Sequence, residues 1–292
     1  MRTCEVNAPC KINLALNVVG RRRDGYHLLE MVMQALDLQD TIRLTVEQGD
    51  GITLTAGEGI PGGENNLAWR AARLFLDHTG EGGRVNIHLT KCIPMQAGLA
   101  GGSADAAGVL VGLNALCGTG LSQEELCRLG AQLGADVPFC IVGGTALVEG
   151  IGERITPLPP LEEGWVLLLK PKEGIDTAGS FRRYDQLAHP PQGALVEKIR
   201  QGISQQDLQQ ISEGLGNQLE AVAQLPQIAH WKVRLKELGA VGSLMSGSGS
   251  AVFGLFPCQR EAQQAFVQLQ SQGEQVFLCR PIPHGPTVHL VP

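Results

Sequence analysis

Much of what this sequence lacks is informative. No apolar run reaches the ~18 residues of a membrane-spanning helix, and only 4% of residues are aromatic. Lys and Arg number 23 against 29 Asp and Glu, a formal net charge of −6. Such a chain lacks the basic, aromatic surface that nucleic-acid binding draws on. The 8 cysteines include no C-x-x-C pair and no Cys/His spacing of a zinc site. No Lys follows a Gly, which excludes the Walker A loop, and neither H-E-x-x-H nor G-x-S-x-G occurs. Gly57-Glu58-Gly59-Ile60-Pro61-Gly62 matches a dinucleotide fingerprint by letter, but Pro61 and Gly63 open no helix. The segment Met1–Glu5 has neither an apolar signal region nor transit character. The reading is a cytoplasmic protein with reduced thiols, in which Cys10, Cys92, Cys117, Cys127 and Cys140 stand among apolar neighbours as core.

What is present is a globular chain rich in glycine. Hydrophobic residues make up 43% of 292, enough for two ordinary domains, and the 38 glycines cluster rather than repeat. Residues 5–19 and 41–55 read as strands, as does 84–90, where Val85, Ile87 and Leu89 alternate with Arg84, Asn86 and His88. Gly20–Gly25 reads as a loop. Helical spacing marks residues 65–78 and the face Ala106, Val109, Leu110, Leu113 and Leu116. Ser122 and Glu125 form a capping box for a further helix that Gly134 closes. The Pro-rich stretch 156–164 is the best linker, followed by a buried strand at Trp165–Leu169. Further on come helices, the longest around 217–238, a Gly/Ser turn at 246–250 between two strands, a helix near 259–272 and short terminal strands. The expected architecture is α+β, with two domains at 1–158 and 159–292 and a cleft between them.

The most informative segment is Pro94-Met95-Gln96-Ala97-Gly98-Leu99-Ala100-Gly101-Gly102-Ser103-Ala104, which leaves a strand and runs into a helix. Small residues let backbone N–H groups close on an anion, and a helix N-terminus adds unpaired donors and partial positive charge. A plain tight turn with Ser103 as N-cap is the bland alternative, yet a turn needs one or two glycines and this loop has three plus several alanines. Ser103 stands where its hydroxyl can meet a phosphate oxygen or Mg²⁺.

This loop resembles the phosphate loop of the kinase superfamily that groups galactokinase, homoserine kinase, mevalonate kinase and phosphomevalonate kinase. The strand Ala8–Leu14 and the turn Met245–Phe253 resemble two further motifs of that superfamily, in the same order. Within it, Asp24-Gly25-Tyr26-His27 and Leu133–Phe139 resemble the 4-diphosphocytidyl-2-C-methyl-D-erythritol kinase family. Cys10, Ala97, Ala100 and Ala104 depart from that pattern, and residues 172–183 match it loosely. The resemblance implies a ribosomal protein S5 domain 2-like N-terminal domain and a ferredoxin-like C-terminal domain. It implies phosphorylation of the 2-hydroxyl of 4-diphosphocytidyl-2-C-methyl-D-erythritol with ATP and Mg²⁺, without a nucleic-acid or membrane partner.

It also implies roles. By its own residues Asp136 reads equally well as a turn aspartate; the resemblance makes it the base, with Lys11 beside it. Lys11 alone reads as an edge-strand lysine. Pro94–Ala104 would hold the ATP phosphates and Asn66 the nucleoside. Tyr26 and His27, otherwise a surface pair, would bind cytosine, Asn13 the methylerythritol hydroxyls, and Thr177 with Phe181 a second wall. The Arg21–Arg23 run reads as solvated or as steering anions. No metal ligand is assigned. A different alcohol kinase and a non-catalytic nucleotide-binding protein on the same scaffold are the alternatives.

Overall fold

The computed structural model describes residues 1–272 and 275–291. A long hairpin forms its spine: β1 (Arg2–Arg21) and β2 (His27–Glu47) pair antiparallel from Arg2↔Val46 to Arg21↔His27. Register shifts after Pro9, Asn13 and Val18 bend the hairpin and break simple alternation. Sequence periodicity therefore missed most of β2, and the expected strand 41–55 is the end of β2, a turn at 48–51, and β3 (Ile52–Thr55). Next come α1 (Leu67–Thr79), β4 (Arg84–Thr90), α2 (Gly101–Cys117), α3 (Gln123–Leu133), α4 (Val137–Val142), β5 (Thr145–Gly150) and β6 (Arg154–Pro157). α2 is buried on more than the one face expected, from Ala104 through Leu110. Glycines at 108 and 112 let it lie against β1 and β2: a Cβ there would come within 2.5 Å of Ile42 and 2.6 Å of Leu44.

The second half contributes β7 (Trp165–Leu169), α5 (Thr177–Tyr184), α6 (Val196–Gln205), α7 (Leu208–Gly214), β8 (Gly216–Asn217), α8 (Pro226–Glu237), β9 (Gly242–Met245), β10 (Val252–Phe256), α9 (Gln259–Ser271), β11 (Val276–Cys279) and β12 (Thr287–Val291). The expected long helix over 217–238 is instead a two-residue strand, a 3-10 turn and α8. Asn217 caps the turn, and Pro226, which has no N–H to donate, starts α8. β7, β9, β10 and β11 form an antiparallel sheet in the order β11-β7-β10-β9, the ferredoxin-like arrangement with α9 crossing from β10 to β11. The first sheet runs β12-β1-β2-β4-β3, with β5 on β2, β6 on β5 and β8 on β1. Thus the last strand returns to pair with the first, Thr3↔Val291 through Asn7↔Thr287. Two apolar clusters support the sheets, one around Ile42, Leu44 and Phe75 and one around Phe139, Leu167 and Trp231. Each such side chain fully buried contributes about 1.5–3 kcal/mol. All described cysteines are free; Cys10 and Cys140 are buried as read, whereas Cys92 is exposed and Cys117 and Cys127 are half-buried.

Candidate active site

The expected phosphate loop lies between β4 and α2. Its carbonyls from Gln96 to Ala100 all find partners. Gln96 O accepts from Ser250 N, Ala97 O from Ala251 N, Leu99 O from Lys11 N and Ala100 O from Ala104 N, at 2.8–3.4 Å. Gly98 O accepts from both Lys11 Nζ and Ser246 Oγ at 3.0 Å. By contrast, the N–H groups of residues 98–103 have no acceptor among the described residues. Positive φ alternates along the loop, 50° at Gln96, 74° at Gly98 and 59° at Ala100. Alternation of this kind forms an anion-binding nest, and α2 begins at its end. Left-handed Gln and Ala cost on the order of 1 kcal/mol each, a strain typical of ligand-binding backbone. Ser103 does not cap α2; the cap position is Ala100, and Ser103 sits within the first turn, its hydroxyl free of the capping role.

Lys11 is not an edge-strand lysine. It is 3% exposed, flanked by β2 and the loop. Its ammonium donates to Asn13 Oδ1 at 2.7 Å and to Gly98 O at 3.0 Å, and lies 3.8 Å from Asp136 Oδ2. Asp136 precedes α4 at its cap position, yet its side chain makes no capping hydrogen bond and is 33% exposed. The turn-aspartate reading leaves that carboxylate without a task; the ion pair with Lys11 supplies one. Ser246 ties the three motifs together by accepting from Asn13 N at 3.3 Å and donating to Gly98 O. The turn's glycines do serve close approach: a Cβ on Gly98 would fall 2.0 Å from Ser246 O, and one on Gly247 3.0 Å from Gly98 O and 3.3 Å from Lys11 Nζ.

The loop, Lys11, Asn13, Asp136 and Gly247 line one cleft of about 1400 Å³, which Tyr26, His27, Asn66, Thr177 and Phe181 also line. The hairpin turn presents Tyr26, 62% exposed, and His27. The His27 ring stacks on Phe181, with centroids 4.7 Å apart and 20° between planes, so one face of Phe181 is covered by His27. Thr177 and Phe181 share α5, as expected, and Thr177 Oγ1 lies 2.7 Å from Ser248 Oγ. Asn66 is committed locally: Oδ1 accepts from Ala68 N at 2.9 Å, capping α1, and Nδ2 donates to Pro61 O at 2.8 Å. Arg21 and Arg22 are paired, with Asp185 at 3.3 Å and Asp24 at 2.7 Å.

Two family models match the chain, GHMP kinases N terminal domain over residues 66–144 and GHMP kinases C terminal over 195–275. The 4-diphosphocytidyl-2-C-methyl-D-erythritol kinase of Carboxydothermus hydrogenoformans is 42% identical over 283 residues, covering 96% of this chain and 97% of that protein. The protein of the same name from a Geobacillus species is 43% identical over 280 residues, covering 94% and 96%. The chain belongs to the 4-diphosphocytidyl-2-C-methyl-D-erythritol kinase family. A crystal structure of a 4-(cytidine 5'-diphospho)-2C-methyl-D-erythritol kinase superposes with a TM-score of 0.79 at 36% identity, over 94% of this chain and 98% of that one. Homoserine kinase from Cytophaga hutchinsonii reaches a TM-score of 0.78 at 21% identity over 98% and 97%, and so shares the fold. The two-domain α+β fold of the kinase superfamily is thereby established.

For this family member, several residues in and behind the cleft had no signal in the sequence. Lys91 bridges Asp40 and Asp105, the latter at 2.6 Å, beneath the start of α2. Asp40 Oδ1 also accepts from Cys92 N at 2.6 Å and Ile93 N at 2.9 Å, fixing the strand that leads into the loop. Burial, with Asp40 nearby, pushes Asp105 up to about 7 despite Lys91, and its Oδ1 has no partner. Burial disfavours the Lys91 charge, but Asp105 and Asp40 more than offset that and hold its pKa above the ordinary lysine value. Asn217 donates from Nδ2 to Met245 O at 2.8 Å and Gly247 O at 2.7 Å, holding the Gly/Ser turn. Lone polar residues far apart in sequence carry no spacing that would reveal such contacts.

Proposed function

We propose that the chain transfers a phosphoryl group from ATP to the 2-hydroxyl of 4-diphosphocytidyl-2-C-methyl-D-erythritol in isoprenoid precursor biosynthesis. One juxtaposition carries this reading: a loop of acceptor-free amides and a lysine–aspartate pair 3.8 Å apart share one cleft floor. Phosphoryl transfer asks mainly for positioning and charge neutralisation, which this arrangement supplies.

In this reading the segment Pro94–Ala104 wraps the ATP phosphates with its free amides, and the N-terminus of α2 adds its dipole. Asn66, whose side chain fixes residues 61–66, shapes the wall for the nucleoside rather than bonding to it. Asp136 accepts the proton of the 2-hydroxyl. Lys11 keeps that carboxylate ionised and faces the developing negative charge. Asn13, held by Lys11 and the Ser246 hydroxyl, positions the methylerythritol hydroxyls. Tyr26 and His27 take the cytosine, with Phe181 behind His27 and Thr177 at the neighbouring wall. Mg²⁺ fits as an ion carried in with the triphosphate: no cluster of three or more metal-ligating side chains exists among the described residues. The Ser103 hydroxyl and the Asp136 carboxylate are the oxygens that would complete its shell, and the bound ion would offset phosphate charge.

We divide the chain at 158/159, the second unit sending β12 back to the first sheet. Among the described residues no helix is long and apolar enough to cross a membrane. The partners in this reading are the two small molecules, in the cytoplasm. Two variants test the roles. Asp136→Ala should abolish ADP release while ATP still binds; near-normal turnover would remove it as the base. His27→Ala should raise KM for the cytidylyl substrate more than for ATP; equal effects would take His27 out of the cytosine site.

A further inference from the structure

Asp185 lies outside every motif, yet it makes a short side-chain contact with His27 in the cleft. Its Oδ1 is 2.7 Å from His27 Nε2. Its Oδ2 is 3.3 Å from Arg21 Nη1, so the carboxylate is held from both sides. Asp185 is also the C-terminal cap residue of α5, with its backbone N–H bonded back to Phe181 O at 3.0 Å. His27 cannot turn freely: Phe181 stacks on one face and Tyr184 meets the ring edge-on at 6.5 Å. The His27 side chain is 10% exposed, and its Nδ1 has no hydrogen-bond partner among the described residues.

A carboxylate accepts and does not donate, so the Nε2 that it faces must carry the proton. In the neutral ring this leaves the lone pair on Nδ1. We propose that Asp185 is a specificity-determining positioning residue, fixing His27 in the Nε2–H tautomer so that Nδ1 accepts from the exocyclic amine of cytosine. Uracil carries a carbonyl oxygen at that position, and a lone pair set against it is repulsive. The contact therefore selects a cytidylyl over a uridylyl substrate, and it does so by leaving a polar group unpaired with the wrong base. Arg21 balances the Asp185 charge, while Arg22 is paired with Asp24. The inference rests on the assignment of His27 to cytosine made above.

The tautomer is read directly from the ¹⁵N shifts of His27 in the intact protein above the histidine titration range. The Nε2–H form is expected, and the Nδ1–H form would overturn the proposal without any variant. The kinetic test compares kcat/KM for the cytidylyl substrate with that for its uridylyl analogue. Asp185→Asn admits either tautomer, because its amide both donates and accepts. It should lower the cytidylyl preference about tenfold, through KM for that substrate rather than KM for ATP. Asp185→Glu keeps an acceptor and should recover part of the preference. A preference unchanged in Asp185→Asn but lost in His27→Ala would overturn the role of Asp185 and leave the His27 assignment standing. A preference unchanged in His27→Ala would remove that assignment and the proposal with it. Equal rises in KM for both substrates in Asp185→Asn would reduce Asp185 to a structural residue.

Discussion

Replacing Gly98 with Ala tests how the motifs meet. The added Cβ would lie 2.0 Å from Ser246 O and 3.0 Å from Gly249 N, in a residue whose φ is +74°. Left-handed backbone costs an alanine about 1–2 kcal/mol. Ordinary contact begins near 3.4 Å, so loop and turn must part by more than 1 Å, both being backbone that cannot rotate aside. Overpacking of that kind costs about 1–3 kcal/mol. Together these lower the melting temperature by about 3–8 °C. Activity should suffer more, because Gly98 O anchors Lys11 Nζ and Ser246 Oγ. A displacement of ~1 Å at the reacting groups costs on the order of 100-fold. Thermal unfolding and steady-state ADP release are measured on Gly98→Ala, with Gly57→Ala, which has nothing within 4 Å of its new Cβ, as control. A Gly98→Ala protein within threefold of normal kcat/KM and within 2 °C of normal melting would refute the close approach of loop and turn.

Three further outcomes follow from particular contacts. Lys11→Met should lower kcat about 100-fold or more, with a smaller change in KM, since the lost charge matters most as phosphate charge develops; an effect confined to KM would contradict this. Asn217→Ala leaves Met245 O, Gly247 O and Leu219 N short of partners. It should destabilise by about 2–4 kcal/mol in urea unfolding, and a change under 0.5 kcal/mol would count against its anchoring role. Asp105 sets a pH dependence. Its native carboxyl, raised to about 7, holds a proton that the unfolded chain releases near 4, so its contribution is present below about pH 4 and lost as pH rises towards 7. Asp105→Asn should flatten the fall in stability between pH 5 and 7, by up to about 1.4 kcal/mol per pH unit. Parallel pH profiles for the two proteins would contradict the buried-proton account.

Local signals in the sequence located most short elements: the capping box at Ser122 and Glu125 forms in full, and β7 and the turn after Met245 fall where composition put them. The misses share a cause in non-local structure. β2 is buried on both faces over Met31–Leu36, so its alternation vanishes, and the bulges of β1 disturb the pattern further. The helix read over 217–238 has continuous helical composition, but Asn217 is drawn off to hold the Gly/Ser turn and Pro226 restarts the helix. The pairing of β12 with β1 joins the two ends of the chain, which no local window sees. At the site, the loop stood out by its run of small residues, whereas Lys11 alone read as an edge-strand lysine and drew its place beside Asp136 from the resemblance, a contact the structure forms at 3.8 Å. Asp185, Lys91 and Asn217 were not legible, because each acts through a partner more than ten residues away. Asn66, read as helping to hold the nucleoside, lines the cleft with its side chain bonded to Ala68 N and Pro61 O.

The most direct test of the central claim is ADP release with Mg·ATP and 4-diphosphocytidyl-2-C-methyl-D-erythritol, run beside homoserine and mevalonate. Turnover with the cytidylyl substrate alone, lost in Asp136→Ala, is the expected result. Turnover with homoserine or mevalonate instead, or ATP binding without turnover on any of the three, would contradict it.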